Sequence, residues 1–232
     1  MCGRFYLFST GAVVADLFDL AGAPDLAARF NIAPSQPVAV VRLSEHGREL
    51  VPLRWGLIPS WAKDAKFAPI NARSETAADK PTFRHAMRKR RCLVPADGFY
   101  EWMRRGKAKQ PFCFRLHDDQ PFAFAGLWER WEGPAGPVET CCILTTEANE
   151  LVRPVHDRMP VMLERQYFGQ WLDSTEQDAE ALTWMLRPYR ADAMRAYSVG
   201  SLVNSPKNDD AQCLEPVPRP VEHCLASANA SN

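Results

Sequence analysis

The chain has 232 residues, 46% hydrophobic and 24% charged, and its 28 basic residues are balanced by 28 acidic ones. That size and composition suit a globular domain with a full core, and zero net charge excludes any global pull toward nucleic acid. A polyanion site would need local clustering such as "RHAMRKRR" at 84–91, a run that ordinarily forms a solvated helix face.

The chain opens "MCGRF", with a cysteine directly behind the initiator methionine. Cysteine is small enough for aminopeptidases to trim the methionine before it, which would leave an α-amine and a thiol on one residue. The plainer alternative for Cys2 is a small hydrophobe. "CGRFYLF" reads as a short strand and "GAVVADLFDLAG" as an amphipathic helix with Val14, Leu17 and Phe18 on one face. "RFNIAPSQ" reads as a Pro-containing loop, and "VAVVRL" and "LVPLRWGLI" as strands joined by a hairpin at "SEHGRE". "PSWAKDAKFAPINARSET" has little periodicity and reads as a long loop of the kind that carries function.

"KPTFRHAMRKR" is expected to be helical, with Pro81 in its first turn. Four strand-like runs follow: "RCLVPADGFYEWM", "QPFCFRLH", "PFAFAGLWERW" and "ETCCILTTEA". "RQYFGQWLD" and "EQDAEALTWMLRPY" read as late helices, and "MRAYSV" as a last strand. Strands in hairpin order with helices at the edges predict an α+β fold with an antiparallel, barrel-like core and peripheral helices. A single domain is expected over 1–216, with a disordered Pro/Ala/Ser-rich tail at 217–232.

Seven cysteines show no C-x-x-C pair and no zinc-type spacing, so reduced thiols are expected, with no metal and no cofactor. No apolar run is long enough to span a membrane and no secretory cleavage site follows the N-terminus, which predicts a cytoplasmic protein. Phosphate loops, G-x-S-x-G and H-E-x-x-H are absent, so nucleotide-dependent and metalloprotease chemistry have no support. Among candidate residues, Asn71 and Arg73 stand in the long loop, where the plain alternative is turn formation. Glu101 shares a face with Phe99 and Met103 at period two, where a carboxylate is costly unless it is paired or keeps its proton; it is either a partnered structural residue or a general acid/base. His156 lies in a loop closed by Pro160, and Arg158 beside it is a cation that could hold a phosphate.

Together "MCGRF", "RFNIAPSQ", "RWGLIPSWAKD", "INARSETA", "RCLVPADGFYEW", "QPFCF", "LTTEAN" and "VHDRMPVML" resemble, in order, the SRAP family, the SOS-response-associated peptidase fold whose members process abasic sites. The resemblance covers nearly the whole chain apart from its tail. It implies a single α+β domain with a positively charged groove for single-stranded DNA; a groove that captures one lesion needs only a monomer, expected to be nucleoid-associated when bound. By the same resemblance Cys2 is the nucleophile and Asn71, Glu101 and His156 are its companions. Arg73 and Arg158 match positions that hold the DNA backbone, and Arg4, Pro34, Trp61 and Thr145 match positions near the DNA or the lesion. Ala62 departs from members that carry a second tryptophan there. Two alternatives are an N-terminal-nucleophile glutamine amidotransferase, which also begins with a processed cysteine, and a non-covalent single-strand binding module that could dispense with Cys2.

Overall fold

A computed structural model describes residues 2–106, 108–176, 178 and 180–217. Its strands are β1 (Phe5–Leu7), β2 (Arg29–Ile32), β3 (Pro37–Ser44), β4 (Gly47–Trp55), β5 (Asn71–Arg73), β6 (Arg91–Ala96), β7 (Gly98–Arg105), β8 (Ala108–Leu116), β9 (Phe122–Gly133), β10 (Gly136–Glu147), β11 (Arg158–Pro160), β12 (Met162–Leu163) and β13 (Met194–Ser198). The helices are α1 (Gly11–Phe18), α2 (Ser74–Ala77), α3 (Arg84–Lys89), α4 (Phe168–Leu172) and α5 (Glu180–Thr183).

The first strong hydrophobic run, "VAVVRL", buries Val38, Val40 and Val41. As β3 it folds back on β4 with Ser44 opposite Gly47, so the hairpin turn is only Glu45-His46, and Gly47 takes a left-handed φ of 107°. β3 also pairs with β6, β6 with β9, and β9 with β10. β10 then runs parallel to β4 at Thr140↔Arg54, which closes a ring of five strands. β5 and β11 extend this sheet on β10, and β12 extends it on β9. Closure removes the exposed edges that an open sheet would present.

A second sheet has the order β13-β8-β7-β1-β2. "RCLVPADGFYEWM", read as one strand, is divided at Asp97 between the two sheets, with β6 in the ring and β7 in the second sheet. The buried Asp97 carboxylate accepts the amides of Phe8 (2.6 Å) and Ser9 (2.8 Å), which fixes the chain as it leaves β1. Next to it, Gly98 is required by contact: a Cβ there would lie 2.2 Å from the Tyr6 hydroxyl. The two sheets share one core, in which Phe5 packs edge-on against Trp55 (5.2 Å) and Phe124 (5.8 Å).

Three local expectations are corrected. Arg29–Ile32 of "RFNIAPSQ" is a strand, because Phe5 pairs with Ile32 and the Asp209 carboxylate satisfies the Phe30 and Asn31 amides on its other side. Pro81 lies in a turn ahead of α3, which begins at Arg84. The long helix expected near 176–189 reduces to α5, followed by three-residue turns from Leu182 to Met185 and from Thr183 to Leu186 that are tighter than an α-helix. The expected disordered tail lies, except for Val217, outside the described residues.

Candidate active site at the N-terminal cysteine

β1 lies between β7 and β2, with Phe5 opposite both Phe99 and Ile32. The ladder continues toward the N-terminus through the Tyr100 amide, which donates to the Arg4 carbonyl at 2.9 Å. Cys2 is therefore held at the end of a central strand. Its side chain is fully buried, with Sγ 3.9 Å from the Arg4 carbonyl. Burial first, then the Glu101 carboxylate, pushes the Cys2 thiol well above its ordinary range, so it stays protonated at neutral pH.

Glu101 comes from β7, where it sits opposite Phe112 and is buried to 3% exposure. Period-two reasoning placed it on the apolar face with Phe99, and both are buried. Asn71 opens β5, which is laid parallel on β10 with Asn71 opposite Ile143. Its Nδ2 donates to the Cys2 carbonyl at 2.8 Å, while its buried Oδ1 has no hydrogen-bond partner among the described residues. Cys2, Asn71 and Glu101, which are 30 to 99 positions apart in sequence, thus meet at one end of the core.

His156 follows a turn capped by Asn149, whose Oδ1 accepts the Val152 amide at 3.0 Å. The imidazole Nδ1 lies 3.0 Å from the Arg158 amide and 2.8 Å from Asp157 Oδ1. One nitrogen cannot accept and donate at once: the neutral Nε2–H tautomer accepts from Arg158, and a proton on Nδ1 turns the bond to Asp157. Arg158, on β11, reaches across to Thr145 on β10, donating to its carbonyl at 2.5 Å, and Thr145 lies opposite the exposed Arg73 of β5. His156, Arg158, Thr145 and Arg73 therefore form one connected group beside Asn71.

The other expected contacts are more dispersed. Arg4 Nη1 donates to Asn31 Oδ1 (2.8 Å) and to the Val203 carbonyl (2.7 Å), tying the N-terminal segment to the C-terminal one. Pro34 is half-buried in the turn after β2, and Trp61 is exposed on the loop between β4 and β5. Sequence reasoning passed over Glu75. Its carboxylate receives both Nη groups of Arg158, at 2.6 and 2.9 Å. The sole signal was an acid two residues past Arg73 in "INARSET", at the start of α2. Among the described residues, no helix is long and apolar enough to cross a membrane, and no group of three His, Cys, Asp or Glu could hold a metal ion.

Fold and site together define a single α+β domain in which a barrel-like core holds the second residue of the chain against an asparagine and a glutamate. The chain belongs to the SRAP family: the model of SOS response associated peptidase (SRAP) matches residues 1–206. It is 45% identical over 222 residues to the abasic site processing protein YoqW of Bacillus subtilis, covering 93% of this chain and 99% of that one. It is 34% identical over 197 residues to the abasic site processing protein HMCES of Gallus gallus, covering 73% of this chain and 58% of that one. A crystal structure of a Bacteroides thetaiotaomicron protein superposes with a TM-score of 0.82 at 26% identity, covering 94% of this chain and all of that one.

Proposed function

We propose that the chain captures abasic sites in single-stranded DNA covalently, through the α-amine and thiol of Cys2 after Met1 has been removed. Family membership and the relatives' abasic-site processing support this reading. The observation that carries it is the convergence of Asn71 and Glu101 on Cys2, one through a hydrogen bond to its carbonyl and the other through its charge on the thiol.

An opened abasic sugar presents an aldehyde. The α-amine has a reference pKa of about 7.7 to 8.0, so a substantial fraction is free base at neutral pH, and its nitrogen adds to the aldehyde carbon. The carbinolamine loses water to give an imine. Cys2 Sγ then adds to the imine carbon, its proton passes to the nitrogen, and a five-membered thiazolidine closes. That second step is intramolecular, which favours it over hydrolysis of the imine. Glu101 takes the proton released by the attacking amine and returns it to the departing hydroxyl. His156 protonates the sugar ring oxygen to promote opening. Asn71 fixes Cys2 through its carbonyl. Arg73 and Arg158 hold the strand backbone, with Arg4, Pro34, Trp61 and Thr145 near the DNA or the lesion. A monomer suffices for one lesion.

Intact-protein mass spectrometry with an abasic single-stranded oligonucleotide tests the proposal. It should show loss of Met1 and an adduct equal to protein plus DNA less one water. Cys2→Ser should lose the durable adduct, while Glu101→Gln and His156→Ala should slow its formation. Wild-type rates in those last two variants would remove their assigned roles. Salt-reversible binding without an adduct would leave a non-covalent module, and ammonia release from glutamine would indicate an amidotransferase. If Met1 is removed by the Cys2 thiol itself, Cys2→Ala retains Met1; if an aminopeptidase removes it, Cys2→Ala loses it.

A further inference from the structure

Side chains alternate across β1, β7 and β8: Phe5, Phe99 and Phe114 enter the core shared by the two sheets, while Tyr6, Tyr100 and Cys113 lie on the opposite face. The segment after β13 covers that face, packing Val199, Val203 and Cys213 against it. The chain beyond the last strand is therefore a strap across the back of the sheet that bears Cys2 and Glu101.

Polar contacts fix where the strap lies. Asn31 of β2 has no exposed surface, and both ends of its side-chain amide are used. Nδ2 reaches the carbonyls of Asn208 (2.6 Å), Ser205 (3.0 Å) and Val203 (3.3 Å), and Oδ1 accepts Arg4 Nη1 at 2.8 Å. Arg4 Nη1 also donates to the Val203 carbonyl at 2.7 Å. Next along the strap, Asn204 Oδ1 accepts the Trp102 indole N–H at 2.7 Å, and the Arg4 guanidinium lies 5.8 Å from the centre of the Trp102 ring. Burial alone would be satisfied by an apolar residue at position 31 that filled the same volume. A buried amide bonded to two separate segments instead fixes where they stand relative to each other, because displacing either leaves an unmatched polar group inside.

The bonds end on residues that flank the reacting pair. Arg4 is two positions from Cys2, and its carbonyl takes the Tyr100 amide at 2.9 Å. Trp102 follows Glu101 directly. One segment thus holds, at the same time, the chain bearing the thiol and the strand bearing the carboxylate. We propose that Asn31 and Asn204 are positioning residues for capture: by locking the strap to Arg4 and to Trp102 they set the spacing of Cys2 and Glu101. The assignment rests on the reading above, in which Glu101 serves the α-amine of Cys2. Proton transfer needs the two groups within hydrogen-bond reach, so a shift of about 1 Å can cost on the order of a hundredfold in rate.

Single-turnover adduct formation with an abasic single-stranded oligonucleotide, followed by intact-protein mass spectrometry over a range of oligonucleotide concentrations, separates the maximal rate from the half-saturating concentration. Asn31→Ala should lower the maximal rate by about tenfold or more and Asn204→Ala by about twofold or more, with the half-saturating concentration unchanged. Asn204→Asp keeps an oxygen for the indole and should restore the wild-type rate. Melting curves identify the folded variants; if Asn31→Ala does not fold, Asn204→Ala, whose side chain is at the surface, carries the test. Hydrogen exchange in the N-terminal peptide should quicken in each variant that slows capture. Wild-type maximal rates in the folded alanine variants would overturn the assignment, as would a raised half-saturating concentration with no loss of maximal rate. An Asn204→Asp rate as low as that of Asn204→Ala would overturn it too. If wild type itself forms no adduct, the capture reading fails; unchanged exchange in both alanine variants would then overturn the strap as well.

Discussion

Glu75→Gln isolates the one contact that must be exchanged if Arg158 is to hold a DNA phosphate. The carboxylate receives Nη1 and Nη2 of Arg158 at 2.6 and 2.9 Å, the fork geometry with which arginine also grips phosphate. Burial raises the Glu75 carboxyl, but the Arg158 hydrogen bonds outweigh this and hold it below its ordinary range, so it stays charged throughout the neutral region. Its side chain is 49% exposed, which places the pair among solvent-screened bridges worth about 0.2–1 kcal/mol. An incoming strand that displaces Glu75 gives up that amount. Glutamine should therefore tighten binding of an abasic-free single strand by about 1.5- to 5-fold, and it also removes a charge that repels phosphate. The Thr145 carbonyl, 2.5 Å from Nη2, keeps the guanidinium in place when the carboxylate is gone. Anisotropy titrations over a salt series measure the effect, and the salt slope should steepen by up to about 0.7, one additional phosphate contact. Unchanged or weaker affinity would refute the exchange and make Glu75 a residue that positions Arg158.

Three further outcomes follow from single contacts. Asp209→Ala should lower stability by about 1–3 kcal/mol in urea denaturation, because the Phe30 and Asn31 amides lose their acceptor. Burial raises the Asp209 carboxyl, yet the Arg29 side chain and those two amides outweigh it and hold it below its ordinary range. Its contribution is thus present above about pH 3.9 and lost as pH falls through the lowered folded value, so wild-type and variant stabilities should converge in strong acid. Gly98→Ala should cost about 1–3 kcal/mol or prevent folding, since its Cβ meets the Tyr6 hydroxyl at 2.2 Å; a melting temperature equal to wild type would contradict that packing. The rate of adduct formation should rise between about pH 6 and 8 as the α-amine loses its proton. It should show no second rise near the ordinary thiol range, because burial and Glu101 keep the Cys2 thiol protonated there.

The ring of strands was legible because its residues alternate or run continuously apolar, and the hairpin lengths between them leave few ways to pair. Two features were hidden for the same physical reason: they depend on partners distant in sequence. β2 reads as a loop until Asp209, about 180 positions away, supplies acceptors for its amides. "RCLVPADGFYEWM" reads as one strand because nothing local shows that Asp97 is bonded to Phe8 and Ser9 and diverts the chain into another sheet. At the site, Glu101 was visible as a carboxylate on an apolar face, whereas Asn71 read as a polar loop residue for which turn formation was the plain alternative, because its pairing in β5 with β10 is set by a strand distant in sequence. Glu75 was not visible, since an exposed acid opening a short helix is unremarkable until Arg158 is folded against it.

The proposed capture needs a positioned N-terminus, and this fold supplies one. Chain ends fray, and a frayed amine gains nothing over one in solution. Here Phe5, three residues into the chain from Cys2, is buried among Trp55, Phe124 and Phe99, and burial of such a side chain contributes about 1.5–3 kcal/mol. Tyr6 is fully buried beside it, and Asp97 fixes the chain where it leaves the strand. Cys2 is therefore attached to a central strand by a tether too short to wander, and Asn71 removes much of its remaining freedom by binding its carbonyl. In the proposed reaction, the entropy of positioning the amine is lost on folding and is not lost again when the aldehyde arrives. On this view the aromatic residues of β1 contribute to capture rate without touching DNA. Phe5→Leu, which keeps an apolar side chain but loses both ring contacts, should slow adduct formation more than it lowers affinity for an intact strand. Equal losses in both would show that the tether only stabilises the fold.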